Sequence, residues 1–252
     1  MKMKLGMLFS AFALIFMLGA CNSDDDMFGT IVPNEATCLY ELSYVEPSGD
    51  NATGYYNPVG LFVDGGNQRA QLADGYTVSF NNSELIFNSG VGYYMASSIH
   101  EGSYGSVSPV FVLADEATGA AASTSVIINP IAPADVPNME YGKDYTITWS
   151  GSPISEDELI VAHLYAAGQE KYKPLATTSV KYDAEQANGY TITFPNSDLG
   201  YFQINEKYTL VLVRITEKKM PVMPVEFSPS EIIARGAYFT APAPLTMDDV
   251  QS

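Results

Sequence analysis

The residue types that could do chemistry are few, and their spacing assembles no known constellation. Histidine occurs twice, at His100 and His163. His163 lies in Val161-Ala162-His163-Leu164-Tyr165, where alternation puts it on one face of a strand, so a structural role is expected. His100-Glu101 sits in a Gly/Ser-rich stretch before Tyr104. One imidazole beside one carboxylate falls short of a metal centre's ligand set, so no metal and no other cofactor is expected. The chain has no Gly-x-Ser-x-Gly elbow, no His-Glu-x-x-His pair and no Gly-x-x-x-x-Gly-Lys loop. Carboxylates are plentiful, so counting leaves an acid–base pair open. A small sandwich rarely builds a deep cleft alone, however, and no catalytic residue is assigned.

Binding chemistry has more to work with. The chain holds 17 tyrosines, and Tyr55, Tyr56, Tyr93, Tyr94 and Tyr104 cluster in glycine-bearing, loop-like stretches. Exposed aromatic rings stack on sugars and anchor protein interfaces. The alternative is that these tyrosines fill β positions, where they are favoured. Neighbouring strand residues point to opposite faces, so a regular strand would turn one ring of each Tyr-Tyr pair outward.

At the N-terminus, Lys2 and Lys4 precede an apolar run over 5–18 that ends in Leu18-Gly19-Ala20-Cys21. The run is shorter than the ~20 apolar residues that a membrane-spanning helix needs, and it has the tripartite pattern of an export signal. The tetrad resembles the lipobox of bacterial lipoproteins. That resemblance implies cleavage before Cys21, acylation of its sulfur and stable anchoring, since each buried methylene contributes about 0.8 kcal/mol to membrane affinity. Asn22-Ser23-Asp24-Asp25-Asp26 is similar to the surface-export signal of Bacteroidetes lipoproteins. This implies that Ser23, Asp24, Asp25 and Asp26 direct the chain to the outer face of the outer membrane. The alternative is an acidic, solvated tether.

Charge narrows the partners. Lys and Arg number 12 against 29 Asp and Glu, and removing Lys2 and Lys4 leaves 10 against 29, a formal charge of −19. From Cys21 to Gly142 the only basic residue is Arg69, against 15 acids. A field of this sign repels phosphate backbones, so nucleic acid is excluded as a partner. No loop has the dense Asp/Asn spacing of a calcium site. With Cys21 acylated, Cys38 has no disulfide partner, and its alternating surroundings suggest a buried small hydrophobe.

The elements that would position these residues read as all-β: short alternating runs broken by Gly, Asn, Asp and Pro. Strands are expected over 37–46, 59–64, 76–81, 84–87, 92–97, 109–114 and 123–128, then over 144–150, 159–165, 175–181, 190–194, 207–216 and 234–240. Asp64-Gly65-Gly66-Asn67 and Asn81-Asn82 supply turn positions. Ser155 with Glu158 could cap one helical turn, and 183–187 could form another. Three prolines in eight positions, Pro130 to Pro137, suggest an extended linker. The expected organisation is a signal over 1–20, a lipidated tether over 21–36, a sandwich over 37–130, a linker over 131–140, a second sandwich over 141–240 and a frayed tail over 241–252.

The second sandwich resembles a fibronectin type III or other immunoglobulin-like domain through Tyr145-Thr146-Ile147-Thr148-Trp149 and Tyr208-Thr209-Leu210-Val211-Leu212-Val213. The resemblance implies a tryptophan filling the core between sheets and a tyrosine tying down a loop corner. The first domain resembles an immunoglobulin- or transthyretin-like sandwich. Tandem sandwiches of this kind recur in bacterial surface lipoproteins. Three roles follow: a non-catalytic surface module binding a protein or glycan, a structural subunit or spacer of a fimbria-like assembly, and an unrecognised hydrolase.

Overall fold

The computed structural model describes residues 28–48, 52–170, 173–182, 191–223 and 225–249. The chain is all-β and divides into two compact units. The N-terminal unit runs to Pro130 and then takes in Arg214–Phe239, while the C-terminal unit comprises Ile131–Val213 and the segment from Thr240 onward.

In the N-terminal unit the strands are β1 (Gly29–Ile31), β2 (Thr37–Val45), β3 (Tyr55–Val63), β4 (Arg69–Leu72), β5 (Tyr76–Phe80), β6 (Ser83–Asn88), β7 (Tyr93–Ala96), β8 (His100–Glu101), β9 (Val110–Asp115) and β10 (Ala120–Ser125). In the C-terminal unit follow β11 (Ala132–Asp135), β12 (Met139–Glu140), β13 (Tyr145–Ser150), β14 (Glu158–Ala166), β15 (Ala176–Lys181) and β16 (Thr191–Phe194). Strand β17 (Lys207–Met220) contains the boundary between Val213 and Arg214. It is followed by β18 (Glu231–Phe239) in the N-terminal unit and β19 (Ala243–Asp248) in the C-terminal one.

The N-terminal unit is a sandwich made by one hairpin changing layers. Strands β10, β9, β5 and β6 form one layer, and β7, β3, β2 and β18 the other. Strand β6 starts beside β5, with Phe80 opposite Ser83, and continues beside β7, with Leu85 opposite Ala96. The turn between β5 and β6 is Asn81-Asn82 with φ of 48° and 63°, the left-handed pair that suits a two-residue hairpin. Between the layers, Tyr40 of β2 stacks on Phe111 of β9 at 4.8 Å, and Phe62 and Phe80 pack around them. Each such buried aromatic contributes about 1.5–3 kcal/mol.

The expected division at 130 coincides with a unit boundary, but the expected 141–240 domain needs correction. Strand β18 lies parallel to β2 over nine residues, from Glu231 opposite Thr37 to Phe239 opposite Val45, and so completes the N-terminal sandwich. A sequence pattern shows that 234–240 is a strand but not which layer receives it. Three further expectations change. The tether over 21–36 gives way at 29 to β1, which pairs in parallel with β4. Part of the proline-rich linker is an edge strand: β11 pairs with β13 through a register irregularity at Pro133, a place where a missing N–H is tolerated. The tail contains β19, which pairs with β17 through Lys207–Leu210 and in parallel with β12. Ser155 and Glu158 do bond reciprocally, but the turn they close leads into β14 and not into a helix. The second proposed helical turn, 183–187, lies outside the described residues.

In the C-terminal unit, β11, β13 and β16 form one sheet, while β15, β14 and the first half of β17 form the second with β19. Trp149 is buried, as the fibronectin-like reading implies. Tyr208 packs on Phe202, and its hydroxyl accepts a bond from Gln203 N at 2.7 Å, holding the loop that precedes β17.

The parallel pairing of β18 is tight at one point. A Cβ on Gly236 would overlap the carbonyl oxygen of Ile127, a backbone atom with no rotamer to yield. Gly236→Ala is therefore expected to destabilise the chain by about 1–3 kcal/mol through overpacking, read as a lower urea midpoint. An unchanged midpoint would show that the Ile127 segment moves aside freely.

Candidate functional site

Both Tyr-Tyr pairs lie on regular strands, β3 and β7, so each splits across the sheet. Tyr56 and Tyr94 face inward and are 3% and 7% exposed. The Tyr56 hydroxyl donates to Ser103 O at 3.2 Å and accepts from Gly105 N at 2.6 Å, while that of Tyr94 accepts from Leu72 N at 2.8 Å. Their roles are structural, which corrects the expectation that they present rings to a ligand. Tyr104, though 42% exposed, belongs to the same interior cluster. It packs against Tyr44 and Tyr238 and donates to Ile128 O at 2.6 Å, closing the end of the inner face.

Tyr55 and Tyr93 face the other way. Alternation along β3 turns Tyr55, Asn57, Val59, Leu61 and Val63 outward, each only partly buried. Tyr93 and Met95 of β7 share that side, since Met95 lies opposite Val59. Ile86, opposite Met95, is 57% exposed. Following the register across the strands gives one outer row: Ile86, Met95, Val59, Glu41 and Arg235. The five tyrosines therefore do not form one patch. Tyr93 borders an apolar strip that ends in charges, and Tyr55 lies on the same face beyond Asn57.

Those charges are the site residues the sequence reading missed. Glu41 is 8% exposed in the middle of β2, directly opposite Arg235 of β18. Arg235 donates Nε and Nη2 to one oxygen of Glu217, the former at 2.7 Å, and its Nη1 lies 3.6 Å from Glu41. It thus hydrogen-bonds Glu217 but compensates Glu41 mainly through space. Burial pushes the Glu41 carboxyl up to about 7, with Arg235 opposing and Glu217 adding to the rise. The Tyr93 phenol is also raised, chiefly by burial, with Arg69 opposing and Glu41 reinforcing. The signal available in the sequence was a single acid at the centre of an apolar alternation, matched by one arginine in another strand.

The remaining candidates are structural. His163 Nδ1 lies 2.9 Å from Thr177 Oγ1 across β14 and β15, and burial lowers its pKa to about 4. The His100 ring packs edge-on against Phe80 at 5.4 Å. Cys38 is fully buried, and burial raises its thiol far above the ordinary range, which leaves it unreactive. Among the described residues no three His, Cys, Asp or Glu side chains gather into a metal site, and no helix is long and apolar enough to cross a membrane. Cys21, Ser23, Asp24, Asp25 and Asp26 lie outside the described residues.

Comparison with known proteins adds little. No protein-family model matches the chain, and no curated protein matches it. Among solved structures, a crystal structure of chicken CNTN1 domains FN1–FN3 is similar at 12% identity and a TM-score of 0.29. The match covers 85% of this chain and 66% of that one, just under two thirds of its length.

Glu41 makes stability depend on pH in a definite direction. Its folded pKa lies above its ordinary value, so the folded state binds more protons over the interval between the two. Its contribution is fully present below about 4.5 and is lost as pH rises through about 7. Relative to Glu41→Gln, the parent is expected to lose stability over that window in urea titrations. A stability difference that stays constant from pH 4.5 to 8 would contradict the assignment.

Proposed function

We propose that this chain is a non-catalytic, lipid-anchored protein of the bacterial outer surface that binds a protein partner through the outer face of β6, β7 and β3. The single observation that carries the reading is the row from Ile86 through Met95 to Val59, continued by partly exposed Leu61 and flanked by Tyr93, with Tyr55 on the same face beyond Asn57. A contiguous apolar strip of this kind is the usual mark of an interaction surface, whereas scattered apolar residues are not. The face is a sheet surface that mixes aliphatic with aromatic side chains. This suits a protein better than a glycan, which needs polar groups converging around a stacked ring. The anchor rests on the lipobox resemblance at Cys21, and outer-surface display rests on Ser23 and the three aspartates after it.

The reading is tested by screening the full chain against purified surface proteins and a glycan panel. A protein is expected to bind, with Tyr55→Ala and Tyr93→Ala each weakening it about tenfold, the loss typical of an interface anchor. Tyr201→Ala, at the 88% exposed Tyr201 of the C-terminal unit, should have no effect. Cys21→Ser should move the chain out of the membrane fraction. Parent-like binding by both β3 and β7 variants would sink the reading.

A second reading, assembly into a fibre, is favoured by β10. Among the described residues this strand has β9 as its neighbour on one side and ends its layer on the other. Ala120–Ser125 carries no charge and no proline, the devices that usually blunt an exposed edge. If β10 accepts another strand, self-association should rise with concentration in sedimentation runs and be abolished by Ser123→Pro. A chain that remains monomeric at high concentration excludes this.

A further inference from the structure

We infer that the outer face selects a partner that brings a lysine or arginine, flanked by apolar side chains, onto the Glu41–Arg235–Glu217 cluster, an inference that rests on the binding face proposed above. The cluster holds two carboxylates and one guanidinium, so it carries a net charge of −1 when both acids are ionised. Arg235 is committed by hydrogen bonds to Glu217, leaving Glu41 with a through-space counter-ion at 3.6 Å. Glu41 stands at the end of the same row as Val59, Met95 and Ile86. A partner seated on that row therefore removes the remaining water from the carboxylate.

That desolvation decides the chemistry. At pH 8, where Glu41 is ionised, an apolar group placed over it forces the carboxylate to take up a proton or lose its remaining water, a cost that a cation avoids. A cation placed there completes an alternating chain of charges and gains a charge-assisted bond. Glu217 stands at the solvent side of the cluster, with 47% of its side chain exposed, so an incoming side chain has a route. The wider field agrees: residues 28–130 contain one basic side chain, Arg69, against ten acids.

The groups that act on Glu41 can be named from each element around it. Val59 faces it from β3 and Arg235 from β18, while Glu217 of β17 and the Tyr93 phenol of β7 act on it electrostatically. Arg69 of β4 reaches the same neighbourhood through Tyr93. Further along β17 and β18, Lys219 and Glu231 pair with each other at 2.8 Å and add no net charge. Acidification below neutrality therefore neutralises Glu41 and removes the cluster's excess negative charge. Binding of a cationic partner should weaken as pH falls.

A phage-displayed dodecapeptide library selected on the full-length chain at pH 8 supplies the probe. Enriched peptides are expected to carry a Lys or Arg between apolar residues and to lose binding to Tyr93→Ala. Replacing the peptide's cation by norleucine, or introducing Glu217→Gln, should weaken binding about tenfold, as expected for one charged hydrogen bond. Between pH 8 and 5.5 the parent should lose affinity, while Glu41→Gln should give weaker but pH-independent binding. Circular dichroism of each variant confirms folding, and the exposed Glu217 gives an independent route should Glu41→Gln not fold. Peptides that need Tyr93 but carry no cation, or that bind Glu217→Gln as well as the parent, overturn the cation assignment alone. Peptides indifferent to both Tyr55→Ala and Tyr93→Ala, a failure to enrich any binder, or a second copy of the chain seated on this face overturn the face and the inference together.

Discussion

Strand β2 has buried side chains on both sides and is paired along both edges, and the N-terminal unit is organised around that constraint. Its inner side supplies Cys38, Tyr40, Leu42 and Tyr44 to the sandwich core, while Leu39, Glu41 and Ser43 on the other side are also buried. One edge is taken by β3 in antiparallel register and the other by β18 in parallel. A strand so enclosed must satisfy every backbone group from its neighbours. The chain does this by returning to β2 after about 190 residues, with most of the C-terminal unit lying between and only its last strand, β19, still to come. Loop-closure entropy grows only slowly with length, so such an insertion is thermodynamically tolerable.

The enclosure also explains the unusual charges. A buried acid at the centre of a strand is unfavourable unless a cation stands beside it, and the register of β18 places Arg235 there. The pairing is imperfect: Arg235 donates Nε and Nη2 to Glu217, while its Nη1 stands 3.6 Å from Glu41. The imperfection leaves Glu41 ready to respond to what covers the face. The inner tyrosines show the opposite design. Tyr44, Tyr56, Tyr104 and Tyr238 pack ring against ring, and the hydroxyls of Tyr56 and Tyr104 are spent on nearby backbone. They seal one end of the sandwich and leave recognition to the outer face.

Strand identity was readable where one face is polar, because alternation announces it. The run from Tyr76 to Phe80 is legible for this reason, whereas the Asn81-Asn82 turn is legible from residue type and the buried Trp149 only through the fibronectin-like resemblance. The short or proline-bearing strands were missed. β4, β11 and β19 owe their state to pairing with distant segments, and Ala132-Pro133-Ala134-Asp135 has no intrinsic preference that would reveal it. Pairing partners were not legible either. The sequence over 234–240 is equally suited to any layer, and only Gly236, small enough for the Ile127 backbone to approach, hints at its place. For the candidate site, the opposite facing of each Tyr-Tyr pair followed from strand geometry, but the partnership of Glu41 with Arg235 required the three-dimensional register.

Native-state hydrogen exchange resolved by residue tests the central role of the β2–β18 pairing most directly. Amides of Cys38–Tyr44 and Ile232–Tyr238 should exchange together, only through opening of the whole N-terminal unit, and with one common free energy. Exchange of the β18 amides in step with those of β13 and β14, and independently of β2, would contradict the account.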